Sequence, residues 1–142
     1  MSEFRFYHPV EVRYADLDPQ GHVNNAKYLT YMEQARAHYL LRLGLWDGRS
    51  FLDLGIILAE ARVSFLAPII FGQDLRVGAR VTRLGNKSII MEYCLEEDGS
   101  STTFATGSTV LVAYDYQSSQ TVPVPQDWRQ VISEFEGLSQ PT

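Results

Sequence analysis

Cysteine appears once in these 142 residues, at Cys94. A single thiol excludes an intrachain disulfide and a multi-cysteine metal site, and it fits a reducing compartment, with cytoplasm as the default. Histidine is almost as scarce. His8, His22 and His38 are too dispersed in the chain to suggest ligand spacing, so no metal is expected. Basic residues number 12 against 17 acidic ones, for a net charge of −5, and they are scattered. Affinity for nucleic acid comes mainly from clustered Lys and Arg, so no nucleic-acid partner is expected, and any phosphate contact must be local. Long apolar runs are missing too. Nothing approaches the roughly 20 residues that span a bilayer, and Met1 to His8 has neither the basic start nor the apolar core of a leader. No membrane partner is expected. Without repeats or low-complexity tracts, residues 1–142 read as one domain, large enough to bury a core unaided by disulfides or metals.

What is present is patterned. Phe4 to Tyr14 is rich in aromatic and β-branched residues and predicts a strand. Pro19 and Gly21 break it. From Ala26 to Leu43 the residues Tyr28, Tyr31, Met32, Ala35, Tyr39 and Leu43 recur at helical spacing, with Leu29 and Leu40 widening the stripe and Gly44 as the stop. Arg36 falls inside that stripe and needs a partner, for which Glu33 lies one turn earlier. Gly55–Leu66, Leu75–Leu84, Ser88–Glu96 and Thr103–Tyr114 then read as strands. Asp98-Gly99 and Leu84-Gly85-Asn86-Lys87 supply turns for an antiparallel meander. Leu75, Val77, Ala79 and Val81 alternate with Arg76, Gly78, Arg80 and Thr82, the pattern of a sheet covered on one side, and the long helix is the cover. A short amphipathic helix is expected at Pro125 to Phe135. The class is α+β, a curved five-stranded antiparallel sheet around one long central helix. Its bare edges predict a homodimer or homotetramer.

The densest chemistry lies in Arg13-Tyr14-Ala15-Asp16-Leu17-Asp18-Pro19-Gln20-Gly21-His22-Val23-Asn24-Asn25, just before the helix. Two carboxylates, a Pro-x-Gly turn, an imidazole and two carboxamides precede a helix start, where free backbone N–H groups and the positive dipole end polarise a carbonyl oxygen. Acyl transfer needs a base or nucleophile on one side of a carbonyl and donors on its oxygen, and this segment offers both. Asp18 alone would read as the closure of an Asx turn; beside His22 and the helix start it reads as catalytic. Asp16 shares its face of the extended stretch and reads as structural or electrostatic. His22 serves to orient Asp18, to relay a proton, or only to cap. Asn24 and Asn25 are N-cap types. Tyr28 reads as core or pocket wall, Tyr31 and Tyr39 as packing.

The same stretch resembles the hotdog-fold thioesterases, specifically the 4-hydroxybenzoyl-CoA thioesterase-like family of acyl-CoA thioesterases. Their pattern Arg-Tyr-x-Asp-x-Asp-x-x-Gly-His-Val-Asn-Asn-x-x-Tyr, then Glu-x-x-Arg, is matched by Arg13 through Tyr28 with Glu33 and Arg36. Weaker matches follow at Val63–Pro68 with Gly72, at Val110–Asp115 and at Val122–Pro125. The resemblance implies a hotdog domain that hydrolyses a fatty or aryl acyl-CoA to a carboxylic acid and free coenzyme A. It implies Asp18 as nucleophile or general base, with His22 beside it, and the Asn25 N–H as oxyanion donor. Gly21, Val23 and Tyr28 fall beside the acyl group. By the same resemblance Arg83, Lys87 and Ser88 hold the pyrophosphate, sites lie at a subunit interface, and no cofactor is needed because coenzyme A is part of the substrate. Plant acyl-carrier-protein thioesterases are similar around this motif and use Asp, Asn and His; here Gln20 replaces the Asn, and an acyl carrier protein stays among the partners considered. Two alternatives remain. One is a hotdog enoyl-CoA hydratase, whose Asp-x-Asn-Pro-x-His spacing is missing; the other is a non-catalytic acyl-thioester-binding module.

Overall fold

The computed structural model describes residues 4–52 and 55–139, so the ends of the expected single domain fall outside the described range. The elements run β1 (Tyr7–Val10), a 3-10 turn (Tyr14–Asp16), α1 (Asn25–Arg42), β2 (Ile56–Phe65), β3 (Leu75–Leu84), β4 (Ser88–Glu97), β5 (Thr103–Asp115), β6 (Gln120–Thr121) and α2 (Gln126–Glu136). All strand pairs are antiparallel, in the order β1-β3-β4-β5-β2, with β6 attached to β5. The expected α+β class is observed. The expected strand number needs correction, because β6 adds a sixth strand; at two residues it has no alternation to read.

The first strand is also shorter than expected. Pairing stops at Val10 because its partner there is Leu75, the first residue of β3, and beyond it Asp16 draws the chain into a turn by accepting from the Arg13 backbone N–H at 3.0 Å. Pro9 is tolerated because β1 is an edge strand, paired only to β3.

α1 begins and ends as its sequence predicts. Asn24 caps the start, its Oδ1 accepting from Ala26 N at 2.9 Å, and Gly44 adopts φ 74° just beyond the last turn. Tyr28, Tyr31, Met32, Ala35, Tyr39 and Leu40 are buried. Leu29 departs from the expected stripe and is 42% exposed. The helix packs on β3 and β1. Leu75, Val77, Ala79 and Val81 meet it from β3, and Ile89, Met91, Tyr93 and Leu95 extend the same buried face across β4. Each Val, Leu, Ile or Met removed from water there contributes about 1.5–3 kcal/mol. Gly107 of β5 is needed for this approach, because a Cβ there would meet Met32 Cε at 2.6 Å. The opposite face of the sheet is polar, with Arg80 bonded to Glu92 at 2.6 Å and Arg76 3.4 Å from Glu96.

α2 carries Trp128 and Ile132 into the core. Its Glu136 carboxylate accepts from Tyr39 OH at 2.6 Å and from Val81 N at 2.9 Å, tying α1, β3 and α2 together.

Candidate active site

The motif folds as a tight ladder laid against the rest of the domain. Leu17 bridges Val23, Asp18 N donates to His22 O at 2.8 Å, and Gly21 N donates to Asp18 O at 3.0 Å. Gly21 sits at φ 80°, a conformation only glycine adopts cheaply. One more layer fixes the ladder's place: Val23 N donates to Ile69 O at 2.8 Å and His22 bridges Ile70, just ahead of β3. On the other side Asn24 N donates to Asp16 O at 2.8 Å, which sets the entry of the chain into α1.

Asp16 is the anchor. It is 1% exposed and its carboxylate accepts from Arg13 N, from the Arg13 guanidinium at 3.1 Å and from Tyr31 OH at 2.8 Å. Burial pushes this carboxyl up, but the donated bonds and the Arg13 charge outweigh it and hold the group below the usual carboxylate range. Tyr31 therefore does more than pack. Its phenol is pushed well above its ordinary value by burial and by the Asp16 charge, so it stays a proton donor to the carboxylate.

Asp18 differs. It is half-buried, and its Oδ1 accepts from Gln20 N at 2.9 Å and His22 N at 3.2 Å. That is the Asx turn expected of Asp-Pro-x-Gly, and it also fixes the carboxylate's orientation. Oδ2 has no hydrogen bond among the described residues. The link between Asp18 and His22 runs through the main chain; the His22 imidazole is exposed and has no hydrogen-bond partner among the described residues.

At the helix start the donors divide unevenly. Ala26 N is capped by Asn24 Oδ1 and Lys27 N donates to Asn24 O at 2.8 Å, while Asn25 N has no acceptor among the described residues. The ladder that carries the Asp18 carboxylate thus leads into an 18-residue helix whose first amide, at its positive end, is unused.

The remaining candidates separate into two groups. Tyr28 is 3% exposed and stands edge-on to Phe65, ring centroids 4.8 Å apart, at the same end of the sheet; burial raises its phenol against the opposing effect of the Ile69 amide. Val23 is 2% exposed, within the core. Arg83, Lys87 and Ser88 lie elsewhere. They surround the β3–β4 turn, at the far end of β3 from the segment that holds His22, and a ten-residue strand separates the two by about 30 Å. Lys87 Nζ donates to Thr121 at 3.3 Å, and Arg129 of α2 donates to the Gly85 and Asn86 carbonyls of the turn. Within one chain Asp18 and Lys87 are not brought together. Arg129 and the buried Tyr93–Thr109 pair behind Arg36 carried no sequence signal, since each depends on a partner more than 15 residues away.

Residues 12–132 match the thioesterase-like superfamily. The chain belongs to that superfamily. It is similar to a thioesterase from Thermus thermophilus, solved in complex with coenzyme A and Zn, at 36% identity and a TM-score of 0.85, covering 98% of this chain and 100% of that one. The 1,4-dihydroxy-2-naphthoyl-CoA hydrolase of Thermosynechococcus vestitus is 30% identical over 80% of this chain and 79% of its own. The long-chain acyl-CoA thioesterase FadM of Escherichia coli is 20% identical over 89% and 96%. As a member of this superfamily the protein is a thioester hydrolase. Among the described residues no helix is long and apolar enough to cross a membrane.

Proposed function

We propose that the protein hydrolyses an acyl-CoA to a carboxylic acid and free coenzyme A, in the hotdog arrangement of a single domain whose sheet wraps α1. One observation carries this reading: Asp18 Oδ2 on the ladder, and the Asn25 N–H at the helix start into which the ladder leads, are both without hydrogen bonds among the described residues. The thioester carbonyl oxygen accepts from Asn25 N, where the helix dipole stabilises the charge of the tetrahedral intermediate. Asp18 either takes a proton from the attacking water, or attacks the carbonyl carbon itself to give an acyl–Asp18 anhydride that a water then hydrolyses to the carboxylic acid and free Asp18. In both routes the carbon–sulfur bond breaks and coenzyme A leaves as the thiol once protonated. Gly21 leaves room beside the carbonyl, and Tyr28 with Val23 closes the apolar side. The exposed His22 serves as a solvent-side proton relay.

The working unit is proposed to be a homodimer, extendable to a tetramer. β2 is an unpaired edge, and Leu58, Phe65 and Leu66 on or beside it are 50%, 49% and 60% exposed. In such an assembly Lys87, Ser88 and Arg83 of one copy serve the coenzyme A bound at Asp18 of another, which accounts for their separation within a chain. A cytoplasmic enzyme without further cofactor completes the reading. A thiol-release assay with a panel of acyl-CoAs and acyl carrier protein thioesters tests it. Release of free thiol with carboxylate is expected; hydration of an enoyl-CoA, or tight binding without release, would replace it with one of the two alternatives.

A further inference from the structure

Two cavities open along α1, and they meet at Arg36. The smaller, about 120 Å³, begins at Leu29 and Thr30; the larger, about 560 Å³, runs on to Trp46 and Phe51. Glu33, Arg36 and Leu58 line both. The walls are otherwise largely apolar, which makes a buried cation on the floor costly unless its donors are used. Arg36 is 8% exposed. Its Nη1 donates to Tyr93 OH at 3.1 Å, and that hydroxyl is already bonded to Thr109 at 2.8 Å. Its Nη2 stands 3.9 Å from Glu33, whose side chain is 73% exposed. A guanidinium has five N–H donors, so it retains donor capacity towards the cavity.

From Asn25 to Arg36 is eleven residues, or roughly 16 Å of helix, and the side chain leans back towards the N-terminus. Its donors therefore lie on the order of 10 Å from the amide proposed to hold the thioester oxygen. We infer that Arg36 and Glu33 together read a hydroxyl group at the far end of the acyl chain, making medium-length ω-hydroxyacyl thioesters preferred substrates. A hydroxyl accepts from Arg36 and donates to Glu33 across their 3.9 Å gap, whereas a methyl end satisfies neither and a carboxylate meets the Glu33 charge. A methyl end leaves the buried Arg36 donors facing the cavity unpaired, whereas the exposed Glu33 stays hydrated, so the discrimination comes from Arg36. The inference rests on the thioester sitting at Asn25.

The test uses purified protein and three thioether analogues that cannot be hydrolysed: decyl-CoA, ω-hydroxydecyl-CoA and the ω-carboxy chain of equal length, with binding measured by calorimetry. The hydroxyl-ended analogue should bind about 10-fold more tightly than the methyl-ended one. Arg36→Met should abolish that difference. Glu33→Ala, on an exposed side chain, should shrink the hydroxyl preference and improve binding of the carboxylate. Equal binding of hydroxyl and methyl ends by the native protein overturns the inference, as does a preference for the carboxylate end. Equal weakening of all three by Arg36→Met overturns it too and assigns Arg36 to holding Tyr93 and Thr109. Failure of the hydrolase reading shows separately, as absence of thiol release from decanoyl-CoA and ω-hydroxydecanoyl-CoA.

Discussion

Asp16 remains charged inside the protein because three donated hydrogen bonds, two from Arg13 and one from Tyr31, replace the water it loses. Its folded pKa lies below the unfolded one, so its contribution to stability is complete above pH about 4 and is lost as pH falls through the folded value. Asp16→Asn keeps the shape but loses the charge, leaving the buried Tyr31 hydroxyl and the Arg13 donors with a weaker acceptor. A loss of about 2–3 kcal/mol is expected, seen as a drop of roughly 5–10 °C in Tm by calorimetry. The variant should also melt less steeply with acid below pH 4. At this scale the sequence was legible where chemistry is local: the Asp18 turn, the Asn24 cap and the Gly21 turn lie within a few residues of their partners. Tyr31 and Tyr39 were read as packing because helical spacing shows which face is buried and not which phenol finds a carboxylate 15 or 97 residues away.

α1 is held at both ends by polar contacts as well as by its apolar stripe. Near its C-terminal half His38 stacks on His8 of β1, ring centroids 3.9 Å apart, with Gln34 3.1 Å from His38 Nε2. Burial, with a further effect of His38, lowers the His8 pKa below its ordinary 6.5. The unfolded chain therefore takes up that proton first, and the pair's stabilisation, present above pH about 6.5, is lost as pH falls through the folded value. His8→Phe should flatten the fall in denaturant midpoint between pH 7 and pH 5; an unchanged slope would remove the pair from the account. α2 presents a parallel case. Tyr39 and Glu136 share a bond of 2.6 Å, so a double-mutant cycle of Tyr39→Phe and Glu136→Gln should give a coupling of about 1 kcal/mol or more. Long periodic elements were legible to within a residue or two. β1 ended early and β6 went unseen, because one stops where its partner strand begins, 65 residues further along the chain, and the other is too short to show a period.

The whole molecule separates its two groups of candidate residues, the carboxylate ladder at one end of β3 and the Arg83–Ser88 turn at the other. The proposed second copy across the β2 edge would bring them together. Light scattering should give at least a dimer at micromolar concentration, and Leu66→Glu should release monomer and lose activity in proportion. Lys87→Ala should raise KM for acyl-CoA several-fold with little change in kcat, and leave a short acyl-N-acetylcysteamine thioester unaffected, because a phosphate contact acts equally in ground and transition states. Equal loss with both substrates would move the phosphate site away from the β3–β4 turn. The central claim is hydrolysis between the Asp18 carboxylate and the Asn25 amide at the helix start, and its most direct test is thiol release by Asp18→Asn. With the variant shown by circular dichroism and Tm to be folded, kcat for the best acyl-CoA of the panel should fall by roughly 10²-fold or more while KM changes little. A folded Asp18→Asn protein that releases coenzyme A at the native rate would contradict it.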